Sequence, residues 1–145
     1  MGTQIKVTKK MCHKDVMESD CGQYITDGVW AFSKAVVRSY PTSNLDLKLP
    51  VSKTINLGDN YKPVYLSDDL KRVGSGLAAI WRTENKETEV WINNVLTTVL
   101  EVFHLWCIPN EPYAPLVITN SPNPPTKEFA SNVVGVVMPI RQSIG

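Results

Sequence analysis

The sequence predicts one α+β domain: a small bundle of three to four helices around a central helix over 86–107, with a small antiparallel sheet. Three observations predict it. Apolar residues recur at the helical period over 84–107. Two earlier stretches pair an N-cap signal with an apolar stripe at three and four residues. The period then shifts to two between residues 44 and 66.

In chain order, residues 3–10 alternate as an edge strand would, with Ile5 and Val7 on one face and lysines on the other. A helix over about 21–39 follows. Asp20 and Gln23 have capping-box spacing, and Ile25, Val29, Phe32, Val36 and Tyr40 form its stripe. Pro41 ends it.

Leu45, Leu47 and Leu49 alternate with Asp46 and Lys48 as a half-buried strand. A second strand is expected over 51–57 and a third over 63–66, after the turn Gly58-Asp59-Asn60. Residues 3–9 and 116–119 would join this sheet.

Ser67, Asp68 and Asp69 read as the start of a helix over about 67–82, with Leu70, Val73, Leu77, Ile80 and Trp81 as its stripe. Gly74 and Gly76 weaken that helix by roughly 1 kcal/mol each, so they mark a close contact or a break. In the central helix, Trp91, Ile92, Val95, Leu96, Val99, Leu100, Val102, Phe103, Trp106 and Cys107 fill one half. Asn93, Asn94, Thr97, Thr98, Glu101 and His104 fill the other, and Leu105 is the apolar exception. Residues 109–125 form a proline-rich segment around the strand 116–119, and 126–138 read as either helix or strand. The tail over 140–145 reads as an arm.

Composition narrows function only by exclusion. Apolar content is 43% and charged content 20%, against roughly 25% in average soluble domains. A net charge of +1 does not describe a global polyanion binder. No signal-like segment and no long apolar run occurs, so neither secretion nor a membrane span is expected. Met1-Gly2 does not fit the myristoylation pattern, which needs Ser or Thr where Lys6 stands. Cytoplasmic residence, or incorporation into a virion, is expected, with the three cysteines reduced.

No residue set is assigned as catalytic or metal-binding, and no cofactor is expected. Cys12, His13, Cys21, His104 and Cys107 are metal-capable. However, the adjacent Cys12 and His13 do not converge readily on one ion, and Cys107 falls on the apolar arc, where inert thiols sit. His104 with Glu101 or Thr97 resembles a base and its orienting group, but Glu101 and His104, as i, i+3 neighbours, would interact on any solvated helix face. The segment 72–76 lacks the Lys and Ser/Thr of a phosphate-binding loop.

Three functions are weighed. The first is a non-enzymatic structural or assembly protein, such as a coat, tail or connector subunit, that meets copies of itself or other protein subunits. Its interface candidates are Trp30, Asn93, Thr97, Glu101 and His104. The second is a nucleic-acid-associated or regulatory module whose arm (1–14) contacts phosphates through Lys6, Lys9, Lys10 and Lys14. The third is a small zinc or Cys/His-dependent enzyme.

Overall fold

The structure is a computed structural model that describes residues 4–41, 48–51 and 54–140. It is mostly β, and the expected helical bundle is absent from it. The strands are β1 (Ile5–Lys6), β2 (Met17–Ser19), β3 (Tyr24–Thr26), β4 (Trp30–Ser33), β5 (Val37–Ser39) and β6 (Lys48–Leu49). Then come β7 (Lys62–Val73), β8 (Gly76–Thr83), β9 (Glu89–Asn93), β10 (His104–Cys107), β11 (Leu116–Thr119) and β12 (Val133–Val137). Among the described residues the one α-helix is the single turn α1 (Thr97–Leu100).

β1 pairs with β5 in a small parallel sheet. The main sheet has the order β6-β2-β3-β4-β12-β11-β10-β7-β8-β9. Its neighbours are antiparallel except for the end pair β2–β6.

Each expected helix is corrected by a turn inside it. Within 21–39, Gly22 (φ 73°) and Gly28 (φ 96°) adopt left-handed backbone. The second closes the β3–β4 hairpin, so Ile25 and Phe32 face each other across a ladder. Asp20 does not cap a helix; its side chain accepts from Cys21 N.

Within 67–82, Gly74-Ser75 is a two-residue hairpin loop flanked by the pair Val73 and Gly76. Gly74 has φ 60°, which suits the first central position of a II′ turn. Within 86–107, the β-branched and aromatic residues Val90, Trp91 and Ile92 form β9. The Asn93 side chain then accepts from Val95 N and turns the chain.

The expected strand at 116–119 forms as β11, and 63–66 opens the much longer β7. Among the described residues of 51–57 there is no strand, contrary to the expected second strand; Val51 and Thr54 belong to a tight turn closed by Thr54 N donating to Val51 O. The expected strand residues Leu45 and Leu47 and the tail 141–145 lie outside the described residues. Within 126–138 a strand forms only over Val133–Val137, as β12, and a 3-10 turn (Ala130–Asn132) precedes it.

One main core receives Ile25, Trp30 and Phe32 from one wing of the sheet and Ala79, Trp81, Val90 and Ile92 from the other. The sheet therefore curls around this core. Leu96, Leu100 and Phe103, from α1 and its flanks, close it together with Ile5, Val7 and Met11. Phe32 stacks obliquely between Trp30 (5.2 Å) and Phe103 (6.5 Å). On the opposite face, Trp106 and Val117 pack with Tyr61, and Ala31 and Val136 pack with Val51.

Candidate functional site

Twelve residues long, β7 runs well beyond the strand on its outer side. Lys62, Pro63 and Val64 pair with Cys107, Trp106 and Leu105 of β10. From residue 65 to 73 that edge has no strand or loop backbone partner among the described residues. The inner edge pairs with β8 to the hairpin tip.

Apolar side chains on this hairpin stand in solvent: Tyr65 is 55% exposed, Leu70 52% and Leu77 43%, with Leu66 also exposed. These exposed apolar side chains lie on the two strands of the hairpin, beside the open edge of β7.

Side-chain bonds fix the base of the hairpin. Between Leu66 and Leu70 the ladder is irregular, with more residues on β7 than on β8. Ser67 Oγ donates to Ile80 O, and Asp69 N donates to Ser67 Oγ. Arg82 bridges Asp69 (2.7 Å) and Glu89 (2.9 Å), which ties β7, β8 and β9 together. The hydrogen bond to Asp69, then that to Glu89, hold the guanidinium above its ordinary pKa.

Beside the hairpin base lies a groove of about 390 Å³, walled by Pro63, Tyr65, Leu66, Trp81, Phe103 and Trp106. Glu101 and His104 also line it. The Nε1 of Trp81 is buried and has no hydrogen-bond partner among the described residues.

The residues expected on one helix face are distributed differently. Asn93 ends β9, Thr97 opens α1 and donates to Asn94 Oδ1, and His104 opens β10. Glu101 and His104 share the groove. Asn93 lines a separate cavity of about 360 Å³ with Lys10, Cys12, His13, Asp27 and Trp30. Trp30 is only 1% exposed and donates from Nε1 to Met11 O, so it packs inside the chain.

Lys6, Lys9, Lys10 and Lys14 are all exposed, and they decorate a segment anchored by buried Ile5, Val7, Met11 and Val16. Between that segment and the β3–β4 turn sits Asp27, fully buried. Its carboxylate accepts from His13 N, Val29 N and Trp30 N.

Among the described residues no three His, Cys, Asp or Glu side chains come together as a metal site would need, although Cys12 and His13 line one cavity. His104 and Cys107 lie on one strand at i, i+3, an odd spacing that sends side chains to opposite faces. Burial pushes the Cys107 thiol up to about 11, and it pushes Cys12 up as well, with help from Asp27 and Asp15. Both are therefore protonated near neutrality and weak as nucleophiles.

The exposed hairpin residues were not singled out from the sequence. The signal was present in Gly74-Ser75-Gly76, between the apolar residues Leu70 and Leu77. No helix among the described residues is long and apolar enough to cross a membrane. Comparisons with protein-family models, curated proteins and solved structures found no match.

Proposed function

We propose that this chain is a non-enzymatic subunit of a larger protein assembly, of the kind that coats, tails and connectors exemplify. The observation that carries the reading is the β7–β8 hairpin, with an open strand edge and exposed Tyr65, Leu66, Leu70 and Leu77. An unpaired edge beside apolar side chains costs solubility in a monomer, and a neighbouring subunit removes that cost. Light scattering on the purified chain tests it. A mass that rises with concentration to a multiple of the monomer is expected. A strict monomer at all concentrations sinks the reading.

A second reading is favoured by the four exposed lysines. Their buried neighbours hold them on an ordered surface, where they can meet a phosphate backbone without sequence preference. An electrophoretic shift with nucleic acid should then weaken with salt. It should vanish when Lys6, Lys9, Lys10 and Lys14 are changed together to Ala. A shift unaffected by either sinks this reading.

A further inference from the structure

We propose that a second copy of this chain is the occupant of the open β7 edge, antiparallel to it, on a two-fold axis through Leu70. The proposal rests on the assembly reading above and says which surface carries it.

The open edge reads Leu66-Ser67-Asp68-Asp69-Leu70-Lys71-Arg72-Val73. Its charges are antisymmetric about Leu70. Antiparallel pairing about a two-fold axis sets each residue opposite the one equally far on the other side of the centre. Asp69 then faces the second copy's Lys71, and Asp68 faces its Arg72. Leu70 meets Leu70, and Leu66 meets Gly74, where nothing lies within 4 Å of an added Cβ.

Every alternative centre within this stretch breaks some of these matches. A shift of the axis by one residue toward Lys71 sets Asp69 opposite the second copy's Val73 and Asp68 opposite Gly74. Opposite charges across an antiparallel pair stabilise it and like charges destabilise it, so the pattern selects one register.

A strand edge that only avoids partners would do as well with charges of one sign. This one carries both signs in self-matching order, with exposed leucine at the centre. The irregularity between Leu66 and Leu70 limits how many backbone bonds such a pair can form. Side chains must then supply much of the selectivity, which makes a charge exchange decisive. Asp69 also bridges Arg82, but Arg82 keeps Glu89, so a contact to a second copy would not orphan it.

Asp68 and Arg72 are the residues to exchange. Both are exposed, and neither takes part in the Arg82 bridge. Three variants are compared with the parent by analytical ultracentrifugation, with circular dichroism as the check on folding. Asp68→Lys and Arg72→Asp should each weaken self-association by about tenfold or more, since each creates two like-charge contacts per pair. An equimolar mixture of the two should associate as the parent does. The chain carrying both substitutions should also recover, because its contacts are again opposite in sign.

Parental association by both single variants overturns the β7 edge as the contact and leaves the assembly reading standing. Loss in the single variants without recovery in the mixture overturns the two-fold register. A parent chain that stays monomeric throughout overturns the assembly reading and this contact with it.

Discussion

Ile140 N donates to Trp91 O at 2.7 Å, which joins the end of the described chain to the outermost strand of the sheet. Ile140 lies just past β12, and five strand-to-strand steps separate β12 from β9 in the sheet. The bond is therefore formed across the curl of the sheet and covers part of the β9 edge. Met138 N makes a similar bond to Val29 O near β4. Ile140→Pro removes the donor without shortening the chain. It should cost about 1 kcal/mol and speed hydrogen exchange at β9 amides roughly fivefold. Unchanged β9 exchange would mean that the edge is not held by this bond.

Asp27 concentrates several obligations in one side chain. Oδ1 accepts from Val29 N (2.8 Å) and Trp30 N (3.0 Å), and Oδ2 accepts from His13 N (2.6 Å). Asp27→Ala orphans three amides at a buried site. A loss of about 3 kcal/mol is expected in urea unfolding. Asp27→Asn keeps the Oδ1 contacts but sets an amide N–H2 against His13 N–H, so an intermediate loss is expected. Equal stability of all three proteins would show that the turn does not need this carboxylate.

The helical period of this β-rich chain has a physical source. Ile25 and Phe32 are seven residues apart, which fits two helical turns. In the fold they are directly opposed across the β3–β4 ladder. A short hairpin repeats its apolar contacts at a spacing that a helix also produces, and only the turn residues separate the two. Asp27-Gly28 and Gly74-Ser75 carried that information.

The same holds for 84–107. Leu105 is the apolar residue that the helical arc could not place, and it is buried two residues from buried Cys107 on β10. Period two explains both. The candidate site was less legible. Glu101 and His104 do meet at one groove, but the exposure of Tyr65, Leu66 and Leu70 depends on how far β7 outruns β10. That is a property of strand pairing over long sequence separation, and no local window contains it.

Gly135 shows how closely the central strands approach. A Cβ built there would lie 2.1 Å from Ala31 O, a backbone atom that cannot swing aside. Gly135→Ala should therefore destabilise the chain by about 3 kcal/mol. Gly58 has nothing within 4 Å and no left-handed φ, so Gly58→Ala should stay within roughly 0.5 kcal/mol of the parent. Urea midpoints measured side by side check the pair. Similar values for the two variants would contradict the packing of β12 on β4.

Cys107 gives stability a dependence on alkaline pH. Its thiol ordinarily titrates at 9.0, and burial raises this to about 11 in the folded chain. The folded state thus holds its proton more tightly than the unfolded state does. The stability tied to that proton is complete below pH 9.0 and is lost as pH rises toward 11. Two pKa units correspond to roughly 2.7 kcal/mol. Tyr24 and Tyr61, also raised by burial, contribute losses with the same sign at higher pH. Cys107→Ala isolates the thiol, because the variant keeps the tyrosines. Urea unfolding of the parent should fall more steeply than that of the variant between pH 9 and 11. The two profiles should stay parallel below pH 8. Parallel profiles throughout would show that the Cys107 environment does not resist ionisation.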